Sequence, residues 1–378
     1  MSDPIPKNTT PARYIMIGGF LGAGKTTAVA QLARHLHDQG LRVGLITNDQ
    51  GSHLVDTAML ESRGFPVEEI SGGCFCCRFN SLVDAAHKLS TATRPDVFIA
   101  EPVGSCTDLV ATVTYPLRRI YGDDFTIAPL SVLVDSVRAQ RVLGLTEGGK
   151  FSEKVLYIYR KQLEEADLIV INKTDLLTGE QRAALRQALA AEFPAAKQLE
   201  ISARSGEGLA EWFAQMTTTQ QVNREVMAVD YDVYADGEAL LGWLNATVDL
   251  KSGEAFDGNA FLKTIASAMQ QQLSAKGAEI AHLKMTLDPA SPLGDLAVIN
   301  LVRNDYVAEL SQQLQDPLDG GQLIINIRAE TPPETLREAV ELALKRCGEI
   351  HPEVTAKVEH LEFFQPGRPT PTHRFTRA

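Results

Sequence analysis

The segment Gly19-Phe-Leu-Gly-Ala-Gly-Lys25-Thr26-Thr27 has the residue types and spacing of a site that does chemistry. Glycine, four residues, then Gly24-Lys25-Thr26 is the pattern of a phosphate-binding loop. Glycines at 19, 22 and 24 let the backbone turn tightly and aim its N–H groups at an anion. The Lys25 ammonium can reach terminal phosphates, and the Thr26 hydroxyl can ligate Mg²⁺. The expected phosphate set is Gly22, Ala23, Gly24, Lys25, Thr26 and Thr27. The bland alternative is a glycine-rich turn that binds nothing. The flanks oppose it. Residues 14–17 read as a short buried strand. A helix follows the loop, with Val29, Leu32, Ala33 and Leu36 on one face and Gly40 at its end. Its N-terminus would face the phosphates.

A second motif bears on the base. Leu168-Ile-Val-Ile171 is an apolar strand, and Asn172-Lys173-Thr174-Asp175 follows it. Ligands of open α/β sheets sit at the carboxyl ends of strands. The Asp175 carboxylate can accept from the N1–H and exocyclic amine of guanine. Adenine lacks that donor pair and would leave the carboxylate unpaired, at a cost of roughly 1–3 kcal/mol or more. Asn172 can bond the base or brace the phosphate-binding loop, and the Lys173 stem can lie over the ring. Ile201-Ser-Ala203 fits a further loop near the base. Four such residues also occur as an ordinary turn; the phosphate loop in the same chain selects the guanine reading. Asp175 argues against an ATP-using kinase.

The third feature is Cys74-Phe-Cys76-Cys77, after Ser71-Gly-Gly73. Neighbouring side chains point in different directions, so three thiols this close are not all core packing. Thiolates at this density suit Zn²⁺, with Co²⁺ or Cu⁺ as further choices. A redox pair and a set of buried packing thiols are the competing readings. Three cysteines do not close a tetrahedral site. A carboxylate, a histidine, water or a partner protein can supply the rest. Glu68 and Glu69 are near enough in sequence to offer oxygen, and Cys106 is a further candidate. Arg78, directly after Cys77, would lower the thiol pKa values if it faces them.

These elements, in this order, resemble the CobW-like metal-associated P-loop GTPases. The likeness rests on the loop at 19–27, the Cys-x-Cys-Cys motif, Glu101-Pro-Val-Gly104 after a strand, and Asn-Lys-Thr-Asp at 172–175, and covers roughly residues 13–215. It implies a GTP-dependent metallochaperone or insertase linked to zinc, cobalt or cobalamin, with GTP and Mg²⁺ as cofactors and Zn²⁺ or Co²⁺ as cargo. Lys25 and Thr26 would hold phosphate and Mg²⁺. Glu101 would orient Mg²⁺ or its water. Cys74, Cys76 and Cys77 would bind the transferred metal, and Asn172 and Asp175 would read guanine. Family members usually carry Asn-Glu-Phe-Gly in the first switch region. This chain has Asn48-Asp49-Gln50-Gly51, where Asp49 is a shorter carboxylate for a metal. The usual histidine-rich segment is absent, and the last third does not obviously match the usual C-terminal domain.

Composition bounds the rest. A length of 378 residues predicts two domains or slightly more. A net charge of −12 argues against nucleic acid or an anionic membrane as the main partner. Five cysteines, three of them almost together, are not a disulfide framework, so the expected compartment is the reducing cytoplasm. Residues 1–12 are polar and read as a flexible tail without an apolar signal core. Residues 13–216 alternate strands and helices, which predicts a P-loop domain of α/β class with a mainly parallel sheet. The polar stretch 217–228 reads as a linker. Residues 229–378 read as a smaller α+β domain of split β-α-β type, with strands at 226–234, 239–250, 279–287, 294–303, 321–329 and 354–364 and helices at 258–275 and 332–347. Its histidines read as surface or packed residues, and Cys347 as packing.

Two functions from different classes follow. One is slow, Mg²⁺-dependent GTP hydrolysis coupled to delivery of a metal to a client metalloenzyme or cofactor-bearing protein. The other is a nucleotide-gated binding module or metal sensor whose cysteines are a structural clip. No Gln or Arg identifies itself as the water-positioning group. The oligomeric state is open, with a homodimer as the candidate.

Overall fold

The computed structural model describes residues 11–48, 60, 64–289 and 295–377. Among these, 11–48, 64–235 and 368–377 form one compact unit, and 236–289 and 295–367 belong to a second.

The first unit is built on eight strands: β1 (Ala12–Gly19), β2 (Val43–Asn48), β3 (Val67–Ile70), β4 (Val97–Glu101), β5 (Phe125–Ile127), β6 (Ser131–Asp135), β7 (Leu168–Asn172) and β8 (Lys197–Glu200). Their order is β3-β2-β4-β1-β6-β7-β8, with β5 also paired to β1. Every pairing is parallel. A parallel sheet is covered on both faces, which is why β4, β6 and β7 are buried at every position. Met16 pairs with Ala100, and Asp135 with Asn172. That register brings the ends of β1, β4, β6 and β7 to one edge, where the chemistry-bearing residues arrive.

Short elements of this unit were not legible. β5 and the short helices Tyr115–Tyr121 and Ser136–Val142 have too few residues to show a period. The stretch 217–228 is also more firmly tied than a linker. Gln221 donates its backbone N–H to the Ile127 carbonyl at 2.9 Å and its amide to Asp167 at 2.9 Å, and Tyr115 donates to the Arg224 carbonyl at 2.6 Å. The segment 368–377, expected with the second domain, returns to the first. No strand forms at 226–234; a helix runs Tyr231–Leu240 instead. Asp230 Oδ1 accepts from the backbone N–H of Asp232 and Val233, and that cap overrides the apolar alternation.

The second unit is antiparallel throughout. Its strands are β9 (Leu241–Phe256), β10 (Glu279–Asp288), β11 (Ala297–Leu301), β12 (Glu309–Gln312), β13 (Leu318–Glu330) and β14 (Val354–Phe364), in the order β12-β11-β10-β13-β9-β14. The helices Gly258–Ala275 and Pro333–Ile350 share one core with the sheet, through Phe261, Ile265, Met269, Leu336 and Val340 against Leu244, Val248, Leu283 and Ile327. Cys347 is wholly buried in that core and packs as a small hydrophobe. No helix among the described residues is long and apolar enough to cross a membrane.

One buried carboxyl in the first unit makes stability depend on pH. Glu165 accepts from Val110 N–H at 3.1 Å and from the Thr107 hydroxyl at 3.2 Å. Burial, and then the Asp108 charge, push its pKa up to about 8; Arg224 acts weakly the other way. The folded state therefore holds a proton that the unfolded chain releases near pH 4.5. That contribution is complete below the unfolded value and is lost as pH rises through about 8. The loss is on the order of 5 kcal/mol across the window. Glu165→Gln mimics the protonated carboxyl, since its oxygen accepts from Val110 and its NH₂ can donate to Thr107. Melting temperatures taken from about pH 5 to about pH 9 should show the variant gaining on the wild type up to about pH 8 and levelling off beyond it. Parallel curves would mean that Glu165 is ionised in the fold.

Candidate nucleotide and metal site

The phosphate-binding loop leaves β1 at Gly19, whose φ is 131°. A Cβ there would lie 2.3 Å from the Leu133 carbonyl oxygen, so only glycine lets the loop lie on β6. Gly22 and Gly24 have φ of 78° and 89°, in the left-handed region. Lys25 and Thr26 open the helix Lys25–Asp38. The Lys25 ammonium donates to Gly19 O at 2.9 Å, so its side chain folds back over the loop. The Thr26 hydroxyl donates to Glu101 Oε1 at 2.9 Å. Thr26 and Glu101 are both buried, although they are 75 residues apart in sequence. Adjacent strands β1 and β4 bring them together.

At the end of β7, Asn172 is a brace. Its Nδ2 donates to the Ala23 carbonyl at 2.8 Å, and its Oδ1 accepts from Lys173 N and Ala203 N at 2.8 and 3.0 Å. Of the two roles open to it from sequence, the geometry shows support of the loop. Lys173 is left-handed, with φ of 62°. Its ammonium reaches Gly22 O at 2.8 Å and Asp135 Oδ2 at 2.7 Å. Asp175 is exposed at the mouth of this corner. Thr174, just before it, is pinned by its hydroxyl to Ile201 O at 3.0 Å.

The cysteine motif follows β3 and precedes the helix Phe79–Ala92. The three sulfurs lie within 4.8 Å of one another. Cys74 Sγ is 2.8 Å from Cys76 Sγ and 3.3 Å from Cys77 Sγ. Cys74 and Cys76 are buried, and Cys77 is partly open. Asn48, at the end of β2, donates to Ile70 O and Gly73 O and accepts from Phe75 N at 2.9 Å. That ties the motif to the sheet. Hydrogen bonds from the thiols of Cys106, Cys76 and Cys77 hold Cys74 well below the usual thiol range. Donating toward Cys74, with burial added, pushes Cys76 up and Cys77 up to about 11. One thiolate shared among neighbouring thiols is a soft donor set suited to a metal cation.

A model of the CobW/HypB/UreG nucleotide-binding domain matches residues 13–200. The first domain belongs to that family. "Zinc chaperone YeiR" of Escherichia coli (strain K12) is 32% identical over 178 residues, 46% of this chain and 50% of that protein. "Zinc chaperone CobW" of a Sinorhizobium species is 31% identical over 214 residues, 51% of this chain and 59% of that protein. The chain thus spans about half the length of the curated relatives it matches. Among solved structures, HypB from Helicobacter pylori in complex with nickel aligns at 16% identity and TM-score 0.40, covering 56% of this chain and 90% of that one.

The CobW/HypB/UreG domain also uses residues that the motifs did not reveal. Asp135 caps the helix Ser136–Val142 through Val137 N and Arg138 N while pairing with Lys173. Its available signal was an apolar strand ending in a polar residue, as β7 ends in Asn172. Arg138 donates to Leu21 O at 2.7 Å, with Phe20 and Phe151 rings 5.5 and 5.1 Å from its guanidinium. No local signal marked it. Arg78 turns to the Gly72 carbonyl instead of the thiols, so the low pKa of Cys74 is the work of other cysteines. Glu68 pairs with Lys88 at 3.3 Å. Asp49 lies outside the described residues.

The segment 368–377 lies along the motif. Thr370 N–H donates to Cys77 Sγ at 3.2 Å, Thr372 N–H to Cys76 O at 2.9 Å, and the Thr372 hydroxyl to Cys77 O at 3.0 Å. His373 stands edge-on to Phe79, with ring centroids 5.1 Å apart. Arg374 pairs with Asp108 at 2.7 Å.

Proposed function

We propose that this chain is a Mg²⁺-dependent GTPase that couples hydrolysis to holding and delivering zinc or cobalt to a client metalloenzyme or cofactor-bearing protein. The observation that carries the reading is a set of three mutually close thiols in the same compact unit as the phosphate-binding loop. Relatives named as zinc chaperones support zinc as cargo.

The loop amides and Lys25 would take the β- and γ-phosphates. Lys25 would exchange its Gly19 contact for phosphate oxygens. Thr26 and Glu101 offer hard oxygen donors 2.9 Å apart, which fits Mg²⁺. When bound there, Mg²⁺ would neutralise charge on the phosphates. Asp175 would accept from guanine, while Asn172 and Lys173 keep the loop in register with β7. Arg138 holds the Leu21 carbonyl and so braces the loop. The thiols of Cys74, Cys76 and Cys77 would carry the cargo.

Delivery requires that nucleotide state change metal affinity. By linkage, metal must change the preference for GTP over GDP by the same factor. Competition with a chelator, in the GDP state and with a non-hydrolysable GTP analogue, should give Zn²⁺ affinities at least about tenfold apart, or about 1.4 kcal/mol. Identical affinities would defeat delivery and leave the structural-clip or sensor reading.

A further inference from the structure

Residues 370–375 cross the cysteine motif and are fastened on both sides of it. At the motif, Thr370 N–H lies on the Cys77 sulfur, and Thr372 binds the carbonyls of Cys76 and Cys77. Beyond it, Phe375 N–H donates to Ala111 O at 2.9 Å, and the Phe375 ring lies 4.8 Å from the Arg119 guanidinium. The His373 ring meets both Phe79 and Phe375, with centroids 5.1 and 5.8 Å away. Pro369 and Pro371 restrict the backbone, so little further entropy is lost when the segment seats.

Arg374 is the strongest of these fastenings. Its Nε donates to Asp108 Oδ2 at 2.7 Å, and Asp108 is 1% exposed. The Tyr231 hydroxyl donates to the same oxygen at 2.7 Å. Asp108 has φ of 63°, a conformation that costs an L-residue about 1 kcal/mol or more, so its contacts must hold it there. The place being covered matters for access. Cys74 and Cys76 are 3% and 1% exposed, so an ion reaches the three sulfurs past Cys77, the partly open one. That is the sulfur on which the Thr370 N–H sits, at 3.2 Å.

We infer that residues 370–375 are a strap that closes the metal site over Cys77 and sets the rate at which metal enters and leaves. This rests on the metal-holding reading above. The strap meets the sulfur through an N–H, which has no electron pair to give a metal, so it governs access without joining the ligand set. Opening requires Arg374 to leave Asp108, which strands a buried carboxylate and keeps the closed form dominant. A cover of this kind shields the cargo from small chelators while the site waits for a client.

Stopped-flow transfer of Zn²⁺ from the loaded chain to excess chelator reads release, and mixing the metal-free chain with Zn²⁺ reads uptake. Arg374→Ala should raise both rates at least about tenfold, the weight of one charge-assisted hydrogen bond, while affinity shifts by less than about threefold. Thr370→Pro removes the N–H on Cys77 Sγ from an exposed residue. It should act in the same direction, and it serves where Arg374→Ala does not fold. Alkylation of Cys77 by iodoacetamide in the metal-free chain, located by peptide mass, should quicken in both variants. Unchanged release and alkylation in folded variants would overturn the strap. So would faster release with unchanged uptake, because affinity would then fall in step and the segment would be supporting the ligands instead of gating them. A wild type that takes up no Zn²⁺ would sink the metal reading and the gate with it; unchanged kinetics in a chain that binds Zn²⁺ sinks the strap alone.

Discussion

Asp175→Asn should weaken GTP binding by at least about a hundredfold and improve xanthosine triphosphate by a comparable factor. The wild-type carboxylate would accept two hydrogen bonds from guanine. The amide offers one donor and one acceptor, so it is left mismatched against guanine and matched to the 2-oxo edge of xanthine. Sites built to bond a polar group reject analogues lacking it far more strongly than sites that sense size, because the buried partner is stranded. The backbone at 175 is held by Thr174 to Ile201 O and by Arg182, which donates to Thr174 O at 3.0 Å. Asp175 itself is exposed, so the substitution should leave the melting temperature nearly unchanged. Displacement of a fluorescent guanine nucleotide by each competitor reads the preference. A wild type that binds ATP and GTP equally would end the guanine assignment.

Lys25→Ala should reduce GTP hydrolysis by at least about a hundredfold, the loss typical when a positioned charge at a transferring phosphoryl group is removed. The ammonium is already buried and aimed inward, 7% exposed and 2.9 Å from Gly19 O. Truncation also strips the Gly19 carbonyl of this donor, at a cost of about 1 kcal/mol. The fold has other anchors for the loop, in Asn172 on Ala23 O and Lys173 on Gly22 O. The variant should therefore melt cooperatively, a few degrees low, while phosphate release falls to the detection limit. Hydrolysis at the wild-type rate would place the active site elsewhere.

The comparison of motif with fold has a physical pattern. The loop at 19–27 and the corner at 172–175 were legible because their chemistry is local. Glycines at fixed offsets set the turn, and the lysine and hydroxyl follow within two residues. The parallel sheet was legible because strands covered on both faces must be apolar throughout, as in β7. Short elements such as β5, three residues long, were not, because no period can develop in them. At 226–234 the apolar alternation pointed to a strand, but one capping carboxylate at Asp230 decided for a helix.

By itself the sequence determined the phosphate loop, the Asn-Lys-Thr-Asp corner, the cysteine motif and the sheet that must hold them. Each depends on neighbours within a few residues, where bond geometry leaves little freedom. Tertiary structure alone decided which distant groups complete them. Glu101 meets Thr26 across 75 residues because β4 lies beside β1. Asp135 meets Lys173 because β6 and β7 end in register. Thr370 reaches Cys77 across 293 residues by the return of the chain. No periodicity or spacing encodes such pairs. They arise from strand order, and strand order is settled by which apolar surfaces the whole chain can bury together.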